Sequence, residues 1–512
     1  MKVHTLVRTS EYHDSVSLML VARELAKLPG VEDAAVVMAT EANKGILKGS
    51  GLLTDEASDA SPNDLVVTVK TSNPDLDVIA EAEALLDRRV KASETSEFRP
   101  KTIRGAINGH PDANVAVISV AGRYAADEAW EALRRGLHVL LFSDNVELDD
   151  EIALKQYASD HGLLLMGPGA GTTLLNGVAL GFANVVPQGP VGIVSAAGTG
   201  LQEVSTLLAK SGVGITQGLG VGGRDLHEPV GGLMMLAGLD ALQSDPGTAV
   251  IVMISKPPAA SVAKRVLEQA AVVDKPTIVC FMGSKPDLAN VKNAQAASTL
   301  EEAAILAAQA AGGAKRIGYA DAQQLESRAA ALRSSLAASQ RDIRGLFSGG
   351  TLCYEAQVIL RDLAERPVRS NAPLEERNRL EDSNQSQGHT AVDLGEEEFT
   401  VGRPHPMIDN DLRIRRLHQE AADPDTAVIM LDVVIGYGAH PDPASELGPA
   451  IRQARTAAAK ADRNLLVVGS VTGTEGDPQV LSRQVSELEA AGMVVLGSNA
   501  AAARLAGLIA AQ

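Results

Sequence analysis

Hydrophobic and polar positions along this chain follow two rhythms. Short runs of aliphatic and β-branched residues predict strands, and longer stretches with apolar residues three and four apart predict helices. Between Lys2 and Val90, VHTLVR, DAAVVMA and DLVVTV predict strands. SVSLMLVARELAKL and PDLDVIAEAEALLDRRV predict amphipathic helices, the first capped by Asp14 or Ser15 and stopped at Pro29-Gly30. This is a small α+β or α/β domain over residues 1–92. KASETSEFRPKTIRG has no period and suits a linker.

From Asp112 the rhythm becomes βαβ, with strands NVAVISV, LHVLLFS and LLLMG alternating with helices AADEAWEALRRG and EIALKQYASDHG. Such alternation implies a parallel sheet with right-handed crossovers. It delimits a Rossmann-like domain over 93–186. A further α/β block opens at VGIVSAAGTGLQEV and occupies 187–315, a polar helical connector covers 316–342, and a last block fills 343–512. An acidic, amide-rich stretch near 365–390 reads as an exposed insertion in that block.

The last two blocks resemble one another. VGIVSAAGTGLQEV at 191–204 corresponds to IRGLFSGGTLCYEA at 343–356, and DPGTAVIVMI at 245–254 to DPDTAVIMLD at 423–432. Two flavodoxin-like halves in tandem account for the pattern. The fold class is therefore α/β, with a Rossmann-like domain, two flavodoxin-like domains and a small N-terminal α+β domain.

Composition narrows the chemistry. The 512 residues carry a formal net charge of −18, which argues against nucleic acid or an anionic membrane as partner. It leaves small anions open as ligands, because helix N-termini bind anions through backbone amides. No stretch approaches a membrane span and the first residues lack a secretory apolar core, so the expectation is a soluble, cytoplasmic protein. Cys280 and Cys353 have no metal-ligand spacing and read as buried thiols, and no metal site is expected.

Ligands of open parallel sheets bind beyond the carboxyl ends of the strands. Four Gly-rich loops stand at such places: Ala197-Gly198-Thr199-Gly200, Ser348-Gly349-Gly350, Gly436-Tyr437-Gly438, and Gly167-Pro168 running to Thr173. Their amides are candidate phosphate donors. No P-loop and no G-x-G-x-x-G pattern occurs. Arg224, after a Gly-rich turn, suits a bidentate carboxylate contact. Arg403 and His405, in the Pro-stiffened VGRPHPMID, are the other candidate catalytic side chains. Each has a structural alternative, as a salt-bridged or merely exposed loop residue. His13, His110, His227 and His440 have weaker contexts.

The segment from NVAVISVAGRYAADEAW to GPGAGTT resembles the CoA-binding domain of the succinyl-CoA synthetase α subunit, and GPVGIVSAAGTGLQEV resembles that family's phosphate-binding helix start. The last block resembles the ligase domain of its β subunit. Over its whole length the chain is similar to the FdrA family, through EYHDSVSLMLVARELA, SPNDL, LGVGGRDL, VGRPHPMID, MLDVVIGYGA and VTGTEGDPQ. The resemblance implies a CoA-type site at Val120, Ala121, Gly122, Ser143, Asn145, Gly167 and Pro168, together with further enzyme subunits and an oligomer. The nucleotide-forming relatives carry an active-site histidine where this chain has SKPDLANVKNAQAAST, and no ATP-grasp-like stretch is present.

The resemblance to the FdrA family implies a subunit handling carbamoyl phosphate or another acyl phosphate, as in oxamate carbamoyltransferase, with no cofactor required. An ADP-forming acyl-CoA ligase subunit, using CoA and ATP with Mg, is the enzymatic alternative. A metabolite-sensing or scaffold subunit is the non-catalytic one.

Overall fold

The computed structural model describes residues 2–9, 11, 15–73, 77–93, 100–313, 322–400 and 404–511. It divides into two compact units, Met1–Gly109 with Glu396–His405, and His110–Gly395 with Pro406–Gln512.

The first unit runs β1 (Lys2–Arg8), α1 (Ser15–Ala26), β2 (Val31–Met38), α2 (Glu41–Gly49), α3 (Asp55–Asp59), β3 (Leu65–Thr71), α4 (Val78–Ser93) and α5 (Ile103–Gly109). Its antiparallel sheet has the order β1-β3-β2. Side chains alternate across a strand, so Leu65, Val67 and Val69 of β3 join a core with Leu18, Val21 and Leu25 of α1. Val66 points the other way, onto Ala39, Leu47, Leu52 and Ala57. Both sheet faces are thereby covered. The hydrophobic pattern gives no sign of α2 and α3, which are too short to show a period. Thr40 and Thr54 start them by accepting the amides of Asn43 and Ala57. Part of the expected linker is also helical, as α5.

The second unit opens with β4 (Val115–Ile118), α6 (Gly122–Leu133), β5 (His138–Leu141), α7 (Leu148–Asp160) and β6 (Leu165–Met166), a parallel sheet of order β4-β5-β6. The hairpin β7 (Thr172–Leu175) and β8 (Val178–Gly181) follows. It belongs to the next sheet, through the pairing of β7 with β10, rather than to the Rossmann-like layer.

The next domain comprises β9 (Gln188–Ser195), α8 (Gly198–Lys210), β10 (Ile215–Gly220), α9 (Leu233–Ser244), β11 (Val250–Ser255), α10 (Ala260–Ala270), β12 (Thr277–Phe281), β13 (Ala294–Ala296) and α11 (Leu300–Ala310). After the connector helix α12 (Ala322–Arg333) come β14 (Asp342–Phe347), α13 (Gly350–Leu363) and β15 (Thr390–Asp393). The four-residue α14 (Glu397–Thr400) lies in the first unit. The chain then continues as α15 (Asp411–Ala422), β16 (Thr426–Val434), α16 (Pro443–Lys460), β17 (Leu466–Thr472), α17 (Leu481–Ala490), β18 (Met493–Leu496) and α18 (Asn499–Ala510).

The parallel strands of the first domain are ordered β13-β12-β11-β9-β10, and those of the second β15-β14-β16-β17-β18. Numbered from the first strand of each domain, both read 2-1-3-4-5, the flavodoxin-like order. The tandem repeat in the sequence is thus a repeat of topology. The stretch expected as an exposed insertion is partly buried: Ser370 and Asn371 are enclosed, and Asn371 binds both the amide and the carbonyl of Asp393.

The two domains share one apolar core, with α8, α11, α13 and α18 contributing Leu201, Ala303, Leu352 and Ala503. A reciprocal polar lock crosses it. Glu203 of α8 accepts the amide of Asn499, which begins α18, and Glu355 of α13 accepts the amide of Leu300, which begins α11. Each domain's first helix therefore caps the last helix of the other. Asn499 also donates its side-chain amide to Glu355 at 2.8 Å.

Burial, and then the nearby Glu203 carboxylate, push the Glu355 carboxyl up to about 8. The folded chain holds this proton more tightly than the unfolded chain. A stability penalty therefore accumulates as pH climbs from the ordinary value of 4.5 to about 8, and levels off above it. Glu355→Gln cannot ionise, so its deficit relative to wild type is expected to narrow between pH 6 and 9 in thermal melts. A gap that stays constant over that range contradicts the assignment.

Candidate functional site

In a sheet of order 2-1-3-4-5 the strand order reverses between the first and third strands, and ligands bind at that switch point. In the first domain this is the gap between the carboxyl ends of β9 and β11. β9 is buried from Val191 to Ser195 and ends in a tight turn. The Ser195 hydroxyl accepts the Ala197 amide at 3.0 Å and donates to the Ala197 carbonyl at 2.8 Å, while the Ala196 amide donates to Ile254 O at 2.9 Å. Ala197, expected as a phosphate donor, has therefore spent its N–H. The amides of Gly198, Thr199 and Gly200, in the first turn of α8, make no hydrogen bond among the described residues.

The equivalent start of α13 faces this one. A Cβ added to Gly349 would lie 2.9 Å from Thr199 Cγ2 and 3.0 Å from Thr199 Oγ1, and one on Gly200 would lie 3.0 Å from Thr351 Cγ2. Two glycines thus let two helix N-termini meet. Thr199 and Thr351 are 8 % and 5 % exposed, yet neither hydroxyl has a hydrogen-bond partner among the described residues. Thr172, from the loop that begins at Gly167, lies alongside: its Oγ1 would be 3.6 Å from a Cβ on Gly198.

The two halves of this junction differ in charge. In the second domain, Asp432 at the end of β16 accepts the amides of Ser348 and Gly349, both at 2.7 Å, and the Ser348 hydroxyl at 3.0 Å. Arg413 pairs with its other side at 3.1 Å. Ser348 and Gly349, expected to bind phosphate, instead hold a carboxylate of their own chain. The Asp393 carboxylate stands over Gly350, 2.3 Å from where a Cβ would be. Among the described residues no acid accepts the α8 amides in this way; the position equivalent to Asp432 in the internal repeat is Ile254. The open half of the junction is the α8 half.

Two other expected anion loops do not open onto a helix start. Gly436 donates its amide to Gln479 at 3.0 Å, and Tyr437 donates to Ala183 O at 2.8 Å. α16 begins only at Pro443, so Gly436, Tyr437 and Gly438 form a strapped loop rather than an anion cradle. The loop from Gly167 leads into β7, not into a helix, so Gly167 and Pro168 lack the dipole expected of them.

Arg224 is committed too. Its Nε pairs with Glu151 at 2.8 Å and its Nη2 donates to Val146 O at 2.7 Å. Glu151 and Asp225 also hold the fully buried Lys155, each at 2.8 Å. This cluster pins α7 to the loop after β10, which is a structural role. Arg403 lies outside the described residues, and His405 falls in the first unit. The residues expected to form a CoA-type site do come together. Ser143 Oγ accepts the Val120 amide at 2.9 Å, Ser143 O accepts the Gly169 amide at 2.9 Å, and a Cβ on Gly122 would meet Asp144 O at 2.3 Å and Asn145 O at 2.4 Å. α6 starts at Ala121-Gly122 without a side-chain cap.

Burial pushes both cysteine thiols up, so neither is a poised nucleophile. His440 is spent on structure: its Nδ1 accepts the Asp442 amide and its Nε2 faces Glu446 at 3.2 Å. Thr351 closes the Gly-rich turn at Ser348 read from sequence, whereas Lys256, Asp393 and Asp432 were not singled out. The correspondence of 245–254 with 423–432 already sets Ile254 against Asp432, and that difference was the available signal.

Among known families, the one described as "CoA-ligase" matches residues 346–509, and "AllF, heavy metal-associated domain" matches residues 1–101. YahF of Escherichia coli K12 is 43% identical over 502 residues, covering 98% of this chain and 97% of YahF. The alpha subunit of ADP-forming succinate–CoA ligase from Methanothermobacter thermautotrophicus is 30% identical over 148 residues, 28% of this chain and 49% of that subunit. SauD, a subunit of ADP-forming sulfoacetate–CoA ligase from Bilophila wadsworthia, is 28% identical over 193 residues, 36% of this chain and 64% of SauD. The chain thus matches about half of the first ligase subunit and under two thirds of the second.

Residues 1–101 contain no cysteine, and no group of three or more His, Cys, Asp or Glu placed to hold a metal occurs among the described residues. The side chains of the described residues in this segment do not fit a heavy-metal ion. No helix among the described residues is long and apolar enough to cross a membrane. Matched over 98% of its length with YahF, and similar over about a third of it to subunits of ADP-forming CoA ligases, the chain belongs to the YahF family.

Proposed function

We propose that this chain is a carbamoyl-phosphate-handling subunit that interconverts oxalurate plus phosphate with oxamate plus carbamoyl phosphate. One observation carries the reading. At the switch point of the first domain, three amides of α8 without a hydrogen bond among the described residues meet the start of α13, where Thr199 and Thr351 also have hydroxyls without a partner among the described residues and the Asp393 carboxylate stands over Gly350 rather than over α8. Amides and hydroxyls so fixed suit a phosphate oxyanion and the charge that develops during transfer.

In the proposed step a phosphate oxygen attacks the carbamoyl carbon of oxalurate. A C–O bond to phosphate forms, and the C–N bond to the oxamate nitrogen breaks as that nitrogen takes up a proton. Carbamoyl phosphate is already activated in the reverse direction, so alignment and charge stabilisation suffice. The specific identity of the acceptor draws on the similarity to the FdrA family. The missing histidine in the segment after β12 weighs against phosphoryl relay to a nucleotide.

The second reading is an ADP-forming acyl-CoA ligase subunit. It is favoured by the similarity to ligase subunits and by the gathered residues Val120, Gly122 and Ser143, which would hold CoA at the α6 start. The test is a paired assay of the purified chain, alone and with proteins that co-purify. Oxamate-dependent phosphate release from carbamoyl phosphate supports the transferase. Nucleotide-dependent thioester formation, with carbamoyl phosphate left intact, overturns it in favour of the ligase.

A further inference from the structure

β11 runs parallel to β9 with Ile254 beside Ser195, so Lys256 leaves the sheet level with Ala197. Neighbouring strands lie about 5 Å apart. The Lys256 backbone therefore stands across the switch point from the first turn of α8. Pro257 and Pro258 follow it, fixing φ and stiffening the exit. The Ala259 amide, bonded to Leu226 O at 3.0 Å, ties the loop down.

The side chain is half-buried and makes no ion pair or hydrogen bond among the described residues. Its ammonium lies 5.6 Å from the centre of the Tyr354 ring, which comes from α13. Two acids of the junction are engaged elsewhere: Asp432 with the amides before α13 and with Arg413, and Asp393 with the Gly395 amide and the space above Gly350. A partly desolvated cation without a carboxylate is unusual in a chain of net charge −18. Its backbone stands level with the open amides of α8, and two residues of the same junction, Thr199 and Thr351, are more than nine-tenths buried and have hydroxyls without a partner among the described residues.

We infer that Lys256 is a substrate-binding residue that contacts the phosphoryl group of inorganic phosphate or an acyl phosphate at the α8 start. The inference rests on the proposed anion site but goes beyond it by naming the cation. It also accounts for the charge asymmetry of the repeat. The second domain supplies its own carboxylate to its helix start, and the first supplies a lysine, two residues beyond the equivalent position, to receive one from solution.

The experiment measures inorganic phosphate binding by calorimetry on the full chain, alongside carbamoyl phosphate turnover, for wild type, Lys256→Met and Lys256→Arg. Losing a charge-assisted contact is expected to weaken phosphate binding about 10- to 100-fold in Lys256→Met. KM should rise more than kcat falls, and Lys256→Arg should recover most of the loss. Lys256 has no ion partner among the described residues, so its removal strands no carboxylate there, and Lys256→Arg preserves the charge should Lys256→Met fold poorly. If wild type binds phosphate and Lys256→Met binds it equally well, the inference is wrong while the anion site stands. If wild type binds no phosphate and turns nothing over, both fall together.

Discussion

Gly349→Ala is expected to lower turnover about 100-fold, because displacement of a reacting or positioning group by roughly 1 Å costs that much. The backbone at Gly349 has φ −105°, which alanine adopts freely, so the effect is one of space alone. The new methyl would lie within 2.9 to 3.1 Å of three side-chain atoms of Thr199. Thr199 is buried and β-branched, so it has few rotamers to escape into. Either the hydroxyl turns or the start of α8 moves away from that of α13, and both outcomes disorganise the anion site. Overpacking of this kind costs about 1–3 kcal/mol of stability, so the variant should remain folded. Kinetics and a melting curve on the same sample separate the two effects. Turnover close to wild type would show that the junction between the two helix starts does not form the site.

Asp432→Ala is expected to destabilise the second unit by about 3–5 kcal/mol, the cost of breaking one side of a buried ion pair. Arg413, 2 % exposed, would keep its charge without a carboxylate, and the amides of Ser348 and Gly349 would lose their acceptor. Adding Arg413→Met removes the stranded cation, so the double variant should regain part of the loss in urea unfolding. A single variant as stable as wild type would mean that Asp432 does not fill the α13 start. The result bears on function as well. It tests whether the second helix start is satisfied from within, which is what leaves the first as the open one.

Much of this architecture could be read from local pattern. Runs such as VGIVS and TAVIMLD are continuous and apolar because parallel strands are buried on both faces. The likeness of 191–204 to 343–356 foretold two domains whose strand orders turn out the same. The helix start at Gly198 was legible from its Gly-rich turn after a buried strand, although the turns at Gly167 and Gly436 have the same composition and open onto no helix start. What stayed hidden depends on register between distant residues. Asp432 reaches Ser348 only because β14 and β16 are neighbours with Leu346 beside Leu431. Lys256 reaches the level of Ala197 only through the pairing of β11 with β9.

The misread loops fail for the same reason. Nothing local to Gly436 and Tyr437 announces that Gln479 and Ala183 take up their amides. Arg224 looked available because its partner Glu151 stands on a helix 73 residues earlier in the chain. The stretch near 365–390 has the composition of an exposed loop, yet Ser370 and Asn371 are enclosed: Asn371 binds the buried backbone of Asp393, and the Ser370 backbone pairs with Asn378 and Leu380. Composition reports the average environment of a segment, whereas hydrogen-bond demand decides where its individual residues go.

The most direct test of the central claim is isotope exchange between radiolabelled inorganic phosphate and carbamoyl phosphate, catalysed by the purified chain with its co-purifying partners. The account predicts exchange that depends on oxamate, needs neither CoA nor nucleotide, and is lost in Gly349→Ala. Exchange that ignores oxamate and requires CoA and nucleotide would contradict it, and would assign the same helix junction to an acyl-CoA ligase.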